Sequence, residues 1–360
     1  MTVVHVELGR HLYGGARQVA YLLNGIGPED GRHVLVCLPG SGVERAIANP
    51  RVEIRPLAMR GDLDLGFVFR LRRVLDEVAA RLVHVHSRKG DLPALIAARL
   101  AGVPAIYSRR VDNPPNWADR HLKFPLCRRV VTISEGILAV LRGAGVAPDK
   151  LHCIPSAIDT ALYPGVCSRE RFEAEFGLPP GTPTLGMVAQ LIERKGHAVL
   201  FEALARILPR HPHLRVLIFG QGPLEAELKQ RAASLGLADH LHFAGFRRDL
   251  PDILPCLSIL AHPAWMEGLG VSLLEAAASG VPIVACRAGG MPEVVEDGVT
   301  GYLIAPGDAP ALADCLDRLL NAPELAKKMG RAGRERVHRR FAIAGMVAGN
   351  LALYRQWLER

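Results

Sequence analysis

Trp265-Met266-Glu267-Gly268-Leu269-Gly270-Val271-Ser272-Leu273-Leu274-Glu275 follows the short apolar run Ser258–Ala261 after three intervening residues. The run reads as a buried strand, the two glycines as a loop, and Val271–Ala278 as a helix. A strand that feeds a helix through a glycine loop is half of a right-handed crossover unit, so the sheet is parallel. The same geometry aims backbone N–H groups and a helix dipole at one spot, which suits an anion such as phosphate. Gly268 and Gly270 allow close backbone approach to a ligand. Glu267 and Glu275 offer carboxylates to sugar or ribose hydroxyls. Spacing alone supports equally an ordinary turn flanked by solvated glutamates.

Outward from this stretch, the alternation continues. Strands are expected at Thr184–Ala189, Leu214–Phe219, Leu241–Phe243 and Pro282–Ala285, with helices at His197–Leu208, Leu224–Leu235, Ala309–Asn321 and Pro323–Val337. The first half repeats the pattern, with strands at Val3–Leu8, Val34–Leu38, Leu82–His86, Ala105–Ser108 and Val130–Ile133. Helices are expected there at Gly15–Leu23, Phe67–Ala80, Leu92–Ala101 and Glu135–Gly143. The rhythm breaks in 154–182, a stretch rich in Pro and Gly. The chain therefore reads as α/β, with two doubly wound Rossmann-like domains facing a cleft, 1–164 and 165–340. A final helical stretch, Val337–Leu358, carries Phe341, Tyr354 and Trp357. Ligands of such sheets bind beyond the carboxyl ends of the strands, so the site is expected in the cleft.

Composition narrows the class. With 360 residues, 49% hydrophobic and 22% charged, the chain is globular and long enough for two cores. No apolar run reaches the roughly 18 residues of a membrane span. Met1–Leu8 lacks a basic region before its apolar run, so it reads as a first strand rather than a signal peptide. Seven scattered cysteines without a C-x-x-C pattern argue against a disulfide framework or a zinc site and for a reducing compartment. The net charge is +8 and uneven. Residues 1–163 hold 22 basic and 15 acidic side chains (22 − 15 = +7), and the remainder 22 and 21 (22 − 21 = +1). A basic first half suits an acidic partner, either a phosphorylated acceptor or an anionic membrane surface, or is simply a soluble basic face. The basic region has no interleaved aromatic platform, so no nucleic acid is expected.

Further stretches fall in a telling order: Gly14-Gly15, Val83-His84-Val85-His86-Ser87, Glu193-Arg194-Lys195-Gly196, Phe219-Gly220-Gln221-Gly222-Pro223-Leu224, Phe243-Ala244-Gly245-Phe246, Gly289-Gly290-Met291-Pro292-Glu293 and Asp297-Gly298-Val299-Thr300-Gly301. Together with Glu267–Glu275 they resemble the signature of the family 4 retaining glycosyltransferases, which have the GT-B fold. The likeness spans nearly the whole chain, and its order is more specific than any one match.

That resemblance implies site residues. Lys195 would neutralise the donor diphosphate, Glu267 would hold the transferred sugar and His86 would contact it near the anomeric carbon; these three form the catalytic group. Donor binding would fall to Gly14, Gly15, Gln190, Arg194, Gly220, Gly222, Phe246, Gly268, Leu269, Gly270, Val271 and Glu275, the last accepting from the ribose. His84, on the same strand face as His86, reads as structural. The family's G-R before the E-K-G turn is here Ala189-Gln190, so Arg194 or another arginine is expected to supply the missing charge. Its N-G-x-D is here Ser156-Ala157-Ile158-Asp159. Arg109, Arg110 and Asn113 are the acceptor-side candidates, because paired guanidinium groups clamp phosphate or carboxylate. A solvated basic face explains them equally well.

The resemblance implies a metal-independent hexosyltransferase. It would move a sugar from a UDP- or GDP-type nucleoside diphosphate donor to a glycan or glycolipid acceptor, in lipopolysaccharide or other bacterial cell-envelope biosynthesis. The donor would be a substrate, and no cofactor is expected. The location would be cytoplasmic, with a basic half compatible with peripheral contact with an anionic membrane. The family's tail, here about 341–360, packs back on the first domain. A non-catalytic nucleotide-sugar-binding protein and a GT-B epimerase or phosphorylase are the alternatives. A dinucleotide oxidoreductase is not favoured, since no G-x-G-x-x-G follows the first strand.

Overall fold

The computed structural model describes residues 2–62 and 64–356. Two compact units divide the chain, and each is taken by itself. The first runs to Ala157 and takes up the chain again at Ile343; the second is Ile158–Ala342. The change of unit thus precedes the expected break after residue 164. Local bonding gives the reason. The Gln18 side chain holds both the N–H and the C=O of Ala157, each at 2.7 Å. The next N–H, of Ile158, bonds instead to the carbonyl of Phe341 at 2.9 Å.

The first unit holds a parallel sheet of seven strands: β1 (Thr2–Glu7), β2 (Arg32–Cys37), β3 (Val52–Pro56), β4 (Leu82–Val85), β5 (Ala105–Arg109), β6 (Arg129–Thr132) and β7 (Leu151–Cys153). Their order is β3-β2-β1-β4-β5-β6-β7. Strands β3 and β7 were not expected. Both lie at sheet edges and are only partly buried, so they lack the continuous apolar run that marks a central parallel strand. On one sheet face Val4, Val6, Leu8, Val34, Val36, Val83 and Val85 pack under helices Leu65–Glu77 and Asp91–Leu100. The alternate residues face helices Gly14–Asn24 and Ile343–Arg355 in two apolar clusters, one around Leu22, Leu82, Ile106 and Tyr354, the other around Leu23, Leu35 and Val52.

The second unit has six parallel strands: β8 (Thr184–Val188), β9 (Arg215–Phe219), β10 (Leu241–Gly245), β11 (Ile259–His262), β12 (Ile283–Cys286) and β13 (Gly301–Ile304), in the order β10-β9-β8-β11-β12-β13. The sequence reading missed β13, again an edge strand. The terminal helical stretch is not continuous. One helix ends at Arg340 and the next spans Ile343–Arg355, so Phe341 and Ala342 carry the chain from one unit to the other. Trp357 lies outside the described residues. The cysteine expectation needs correcting: Cys167 and Cys256 form a disulfide, and the other five are free. Scattered spacing gave no hint of it, because the pair is 89 residues apart and is brought together only by the fold. No described helix is long and apolar enough to cross a membrane.

Candidate active site

In the second unit the chain runs outward from β8 to β10, then returns to the other side of β8 at β11. The strand order therefore reverses between β8 and β11, the place where open α/β sheets bind ligands. The loops that leave β8 and β11 meet there. Lys195, on a 3-10 turn after β8, forms an ion pair with Glu267, in the loop after β11. Lys195 is 8% exposed, and a buried ammonium needs such a partner. The same Glu267 oxygen accepts from His262 Nε2 at 3.1 Å. Burial alone would push the Glu267 carboxyl up; the hydrogen bond and charge of His262 and the charge of Lys195 outweigh it and hold the carboxyl down at about 2. Glu267 is thus a fixed anion between two nitrogen donors.

Backbone bonds lock the two loops. Trp265 N–H donates to the Arg194 carbonyl, and the Arg194 guanidinium returns a bond to Met266 O, both at 3.1 Å. The carbonyl of Glu267 accepts from Gly290 N–H in the loop after β12. Gly196 has φ +74, and a Cβ there would sit 2.1 Å from the Pro263 carbonyl oxygen. Helices His197–Ile207 and Val271–Ala278 begin behind Gly196 and Gly270 with no capping side chain. Elsewhere Asp308 and Ser134 cap their helices. The uncapped N–H groups remain available to an anion. Leu269 is buried, and Glu275, 8% exposed, sits within the second of these helices. Gly220 and Gly222 pack so closely on Ala189 and Leu191 that a Cβ at either would strike a carbonyl oxygen. Gln190 and Phe246 are exposed.

Two residues here escaped the sequence reading. His262 ends β11 as His86 follows β4, so the signal used for His86, a histidine at a strand end, was present. His197 opens its helix with both ring nitrogens buried and without a protein partner. Burial, then the nearby His262 and Lys195, push its ring down to about 4, so it is neutral at pH 7.

In the first unit the strand order reverses between β1 and β4. Gly14 and Gly15 open the helix after β1, and Arg110 crosses Gly15, where an added Cβ would meet its Cδ at 3.2 Å. His86, 3% exposed, continues the ladder beyond β4 through its N–H to Val6 O. His5 Nδ1 lies 3.0 Å from His86 Nε2, and His5 Nε2 lies 2.9 Å from His33 Nδ1. His84 is spanned by Tyr354 Oη at 2.6 Å and Ser108 Oγ at 2.9 Å, as a structural residue would be. His5, His84 and His86 also stand close enough to hold a metal ion, and burial drives all three rings well below their ordinary value.

The acceptor-side expectation is corrected in part. Arg109 is 2% exposed and turned inward, onto Asp119 and the Asn113 carbonyl. It cannot clamp an acceptor together with Arg110. Lys123, in the same basic stretch, is likewise held by Asp91 and Asp119. Asn113 is exposed, and Arg110 lines a cavity with His86.

Comparison with known proteins agrees with this fold. The model "Glycosyl transferases group 1" matches residues 168–336, and "Glycosyltransferase Family 4" matches 13–162. The 2-deoxystreptamine glucosyltransferase of Streptomyces kanamyceticus is 31% identical over 306 residues, 78% of this chain and 79% of its own. The GDP-mannose-dependent alpha-(1-6)-phosphatidylinositol monomannoside mannosyltransferase of Mycolicibacterium smegmatis is 36% identical over 66% of each chain. Among solved structures, a glycosyltransferase from Rickettsia africae superposes with a TM-score of 0.87 at 19% identity, covering 100% of this chain and 99% of its own. Anabaena Alr3699/HepE in complex with UDP-glucose does so at 0.84 and 20%, covering 99% of each.

Proposed function

The chain belongs to the family 4 glycosyltransferases, and from that premise we propose that it transfers a hexose from a nucleoside diphosphate sugar to a glycan or glycolipid acceptor, with retention of anomeric configuration. The observation that carries the reading is the Lys195–Glu267–His262 cluster, with Glu267 in the loop that leads into the uncapped helix starting at Val271. A pre-placed ammonium and free N–H groups stabilise the charge that develops on a departing diphosphate. The reading gives that charge to Lys195 and the backbone rather than to a metal, and gives the sugar hydroxyls to Glu267 and the ribose to Glu275. Gly220 and Gly222 let the chain lie close to the nucleotide, whose base would meet Phe246. Gln190 would contribute hydrogen bonds without charge, and Arg194 would hold the loop.

Relatives that name GDP-mannose and phosphatidylinositol, and a neighbour bound to UDP-glucose, support a nucleotide-sugar donor and a lipid-linked or envelope acceptor. We place the reaction at the cytoplasmic face of a bacterial membrane, with the basic first half towards anionic lipid. The Cys167–Cys256 bridge runs against a reducing compartment, and a thiol count on freshly isolated protein decides between them.

The test is a thermal-shift screen of UDP- and GDP-sugars, in which ligand at 100 times Kd adds about 2.7 kcal/mol. Anomeric analysis of the product, with and without EDTA, follows. An inverted product, or activity abolished by EDTA and restored by a divalent cation, would overturn the mechanism.

A further inference from the structure

Two buried polar atoms of the first unit, His86 Nδ1 and Arg110 Nε, have no protein partner, and their two residues line one cavity. The cavity measures about 20 Å³, room for a single water-sized group, and Ser108 and Ser156 share its wall. Arg110 Nε can only donate. Whether His86 Nδ1 offers a proton or a lone pair is decided three residues away.

The decision starts at Asp30. Its backbone carbonyl lies 3.2 Å from His33 Nε2, and a carbonyl only accepts, so His33 Nε2 carries the proton. Neutral His33 then has a lone pair on Nδ1, and His5 Nε2, 2.9 Å away, must donate to it. Neutral His5 is left with a lone pair on Nδ1, and His86 Nε2, 3.0 Å away, must donate in turn. Neutral His86 ends the chain with a bare lone pair on Nδ1. The reverse order would set a lone pair of His33 against the Asp30 carbonyl and bury an unpaired N–H on His86. All three rings are held below their ordinary value, chiefly by burial, which keeps them neutral.

We propose that His33 and His5 are positioning residues that fix His86 as its Nε2–H tautomer, so that Nδ1 is an obligate acceptor for a sugar hydroxyl whose oxygen receives the Arg110 Nε–H. A hydroxyl both donates and accepts, and therefore suits this pair of atoms. Only the ownership of that hydroxyl rests on the glycosyl-transfer reading; the tautomer chain does not.

The test is 15N NMR of the histidine rings in the full chain. His5, His33 and His86 are each expected to show a protonated Nε2 and a bare Nδ1. Mixed tautomers, or a proton on His86 Nδ1, would overturn the proposal. So would stoichiometric zinc uptake through the ring lone pairs of His5, His84 and His86, since a metal would then replace the hydrogen bonds. His33→Phe should release His86 into both tautomers, whereas His33→Asn, whose amide oxygen replaces the Nδ1 acceptor, should keep it fixed. If the two variants behave alike, His33 is not part of the chain. UDP-glucose and GDP-mannose are then compared with UDP and GDP. A nucleotide-sugar that raises the melting temperature beyond its nucleotide should also shift His86 Nδ1; binding with Nδ1 unmoved removes the hydroxyl assignment. If neither nucleotide-sugar binds, the donor reading fails, and the tautomers are judged on the unliganded spectrum.

Discussion

Lys195 and Glu267 depend on each other for their burial. Removing one leaves the other's charge in the interior, and charges are rarely buried unless paired. Glu267 has His262 as a second donor, so Lys195→Ala leaves the carboxylate partly satisfied and the loop in place. That variant is expected to stay folded and to lose kcat/KM by tens- to thousands-fold, the scale of one preorganised charge contact; near-normal turnover would remove Lys195 from the mechanism. A pH dependence follows from the same group. The folded-state pKa of Glu267, about 2, lies below its ordinary value of 4.5. Its contribution to stability is therefore complete above about 4.5 and is lost as pH falls towards 2. An acid melting series should show this decline in the wild type, and Glu267→Gln should flatten it. At this scale the site was half legible. Lys195 and Glu267 stand in loops whose glycines mark them. Arg109 was misread because its partner, Asp119, reaches it only through the π-helical turn Asp119–Lys123, which no periodicity announces.

Among the elements, every central strand could be read from the sequence, whereas of the four edge strands only β10, expected at Leu241–Phe243, could. β1, β4, β8 and β11 bury both faces and so show as apolar runs. β3, β7 and β13 have only one neighbouring strand and carry polar or short stretches. The β8 loop shows how one backbone position can fix a site. Gly196→Ala would combine a positive φ with a collision at Pro263 O, whereas Gly236→Ala, at φ +69, meets nothing within 4 Å. The first should cost more than the roughly 1–3 kcal/mol of backbone strain alone and the second no more than that; equal melting temperatures would show that the β8 and β11 loops are not held in contact. The disulfide is an element-scale feature too. Oxidised, unfolded protein should titrate only the five free thiols. Reduction should cost about 2–4 kcal/mol, since the bridge closes a long loop in the unfolded chain. Seven reactive thiols without reductant would mean that the bridge does not form.

At the scale of the whole chain, the two units differ in how they are assembled. Ile158–Ala342 is continuous and owns its sheet, whereas the first unit needs a segment from the far end of the sequence. Helix Ile343–Arg355 supplies Met346, Val347, Leu351, Leu353 and Tyr354 to the cluster over Val3, Leu82 and Ile106. Tyr354 also bonds His84, so the helix covers the histidines as well as apolar surface. Without it, those strand residues would face water, and each fully buried large aliphatic side chain is worth about 1.5–3 kcal/mol against a total stability of about 5–15. A fragment of residues 158–342 should therefore fold alone, melt cooperatively and, if Lys195 and Glu275 hold the donor, be stabilised by a nucleoside diphosphate. A fragment of residues 1–157 should be unfolded or aggregated, and joining 343–360 to its end through a flexible linker should restore a cooperative transition. Circular dichroism melts of the three fragments decide the matter: a folded 1–157 would make the terminal helix dispensable, and an unfolded 158–342 would mean that the second sheet cannot stand alone.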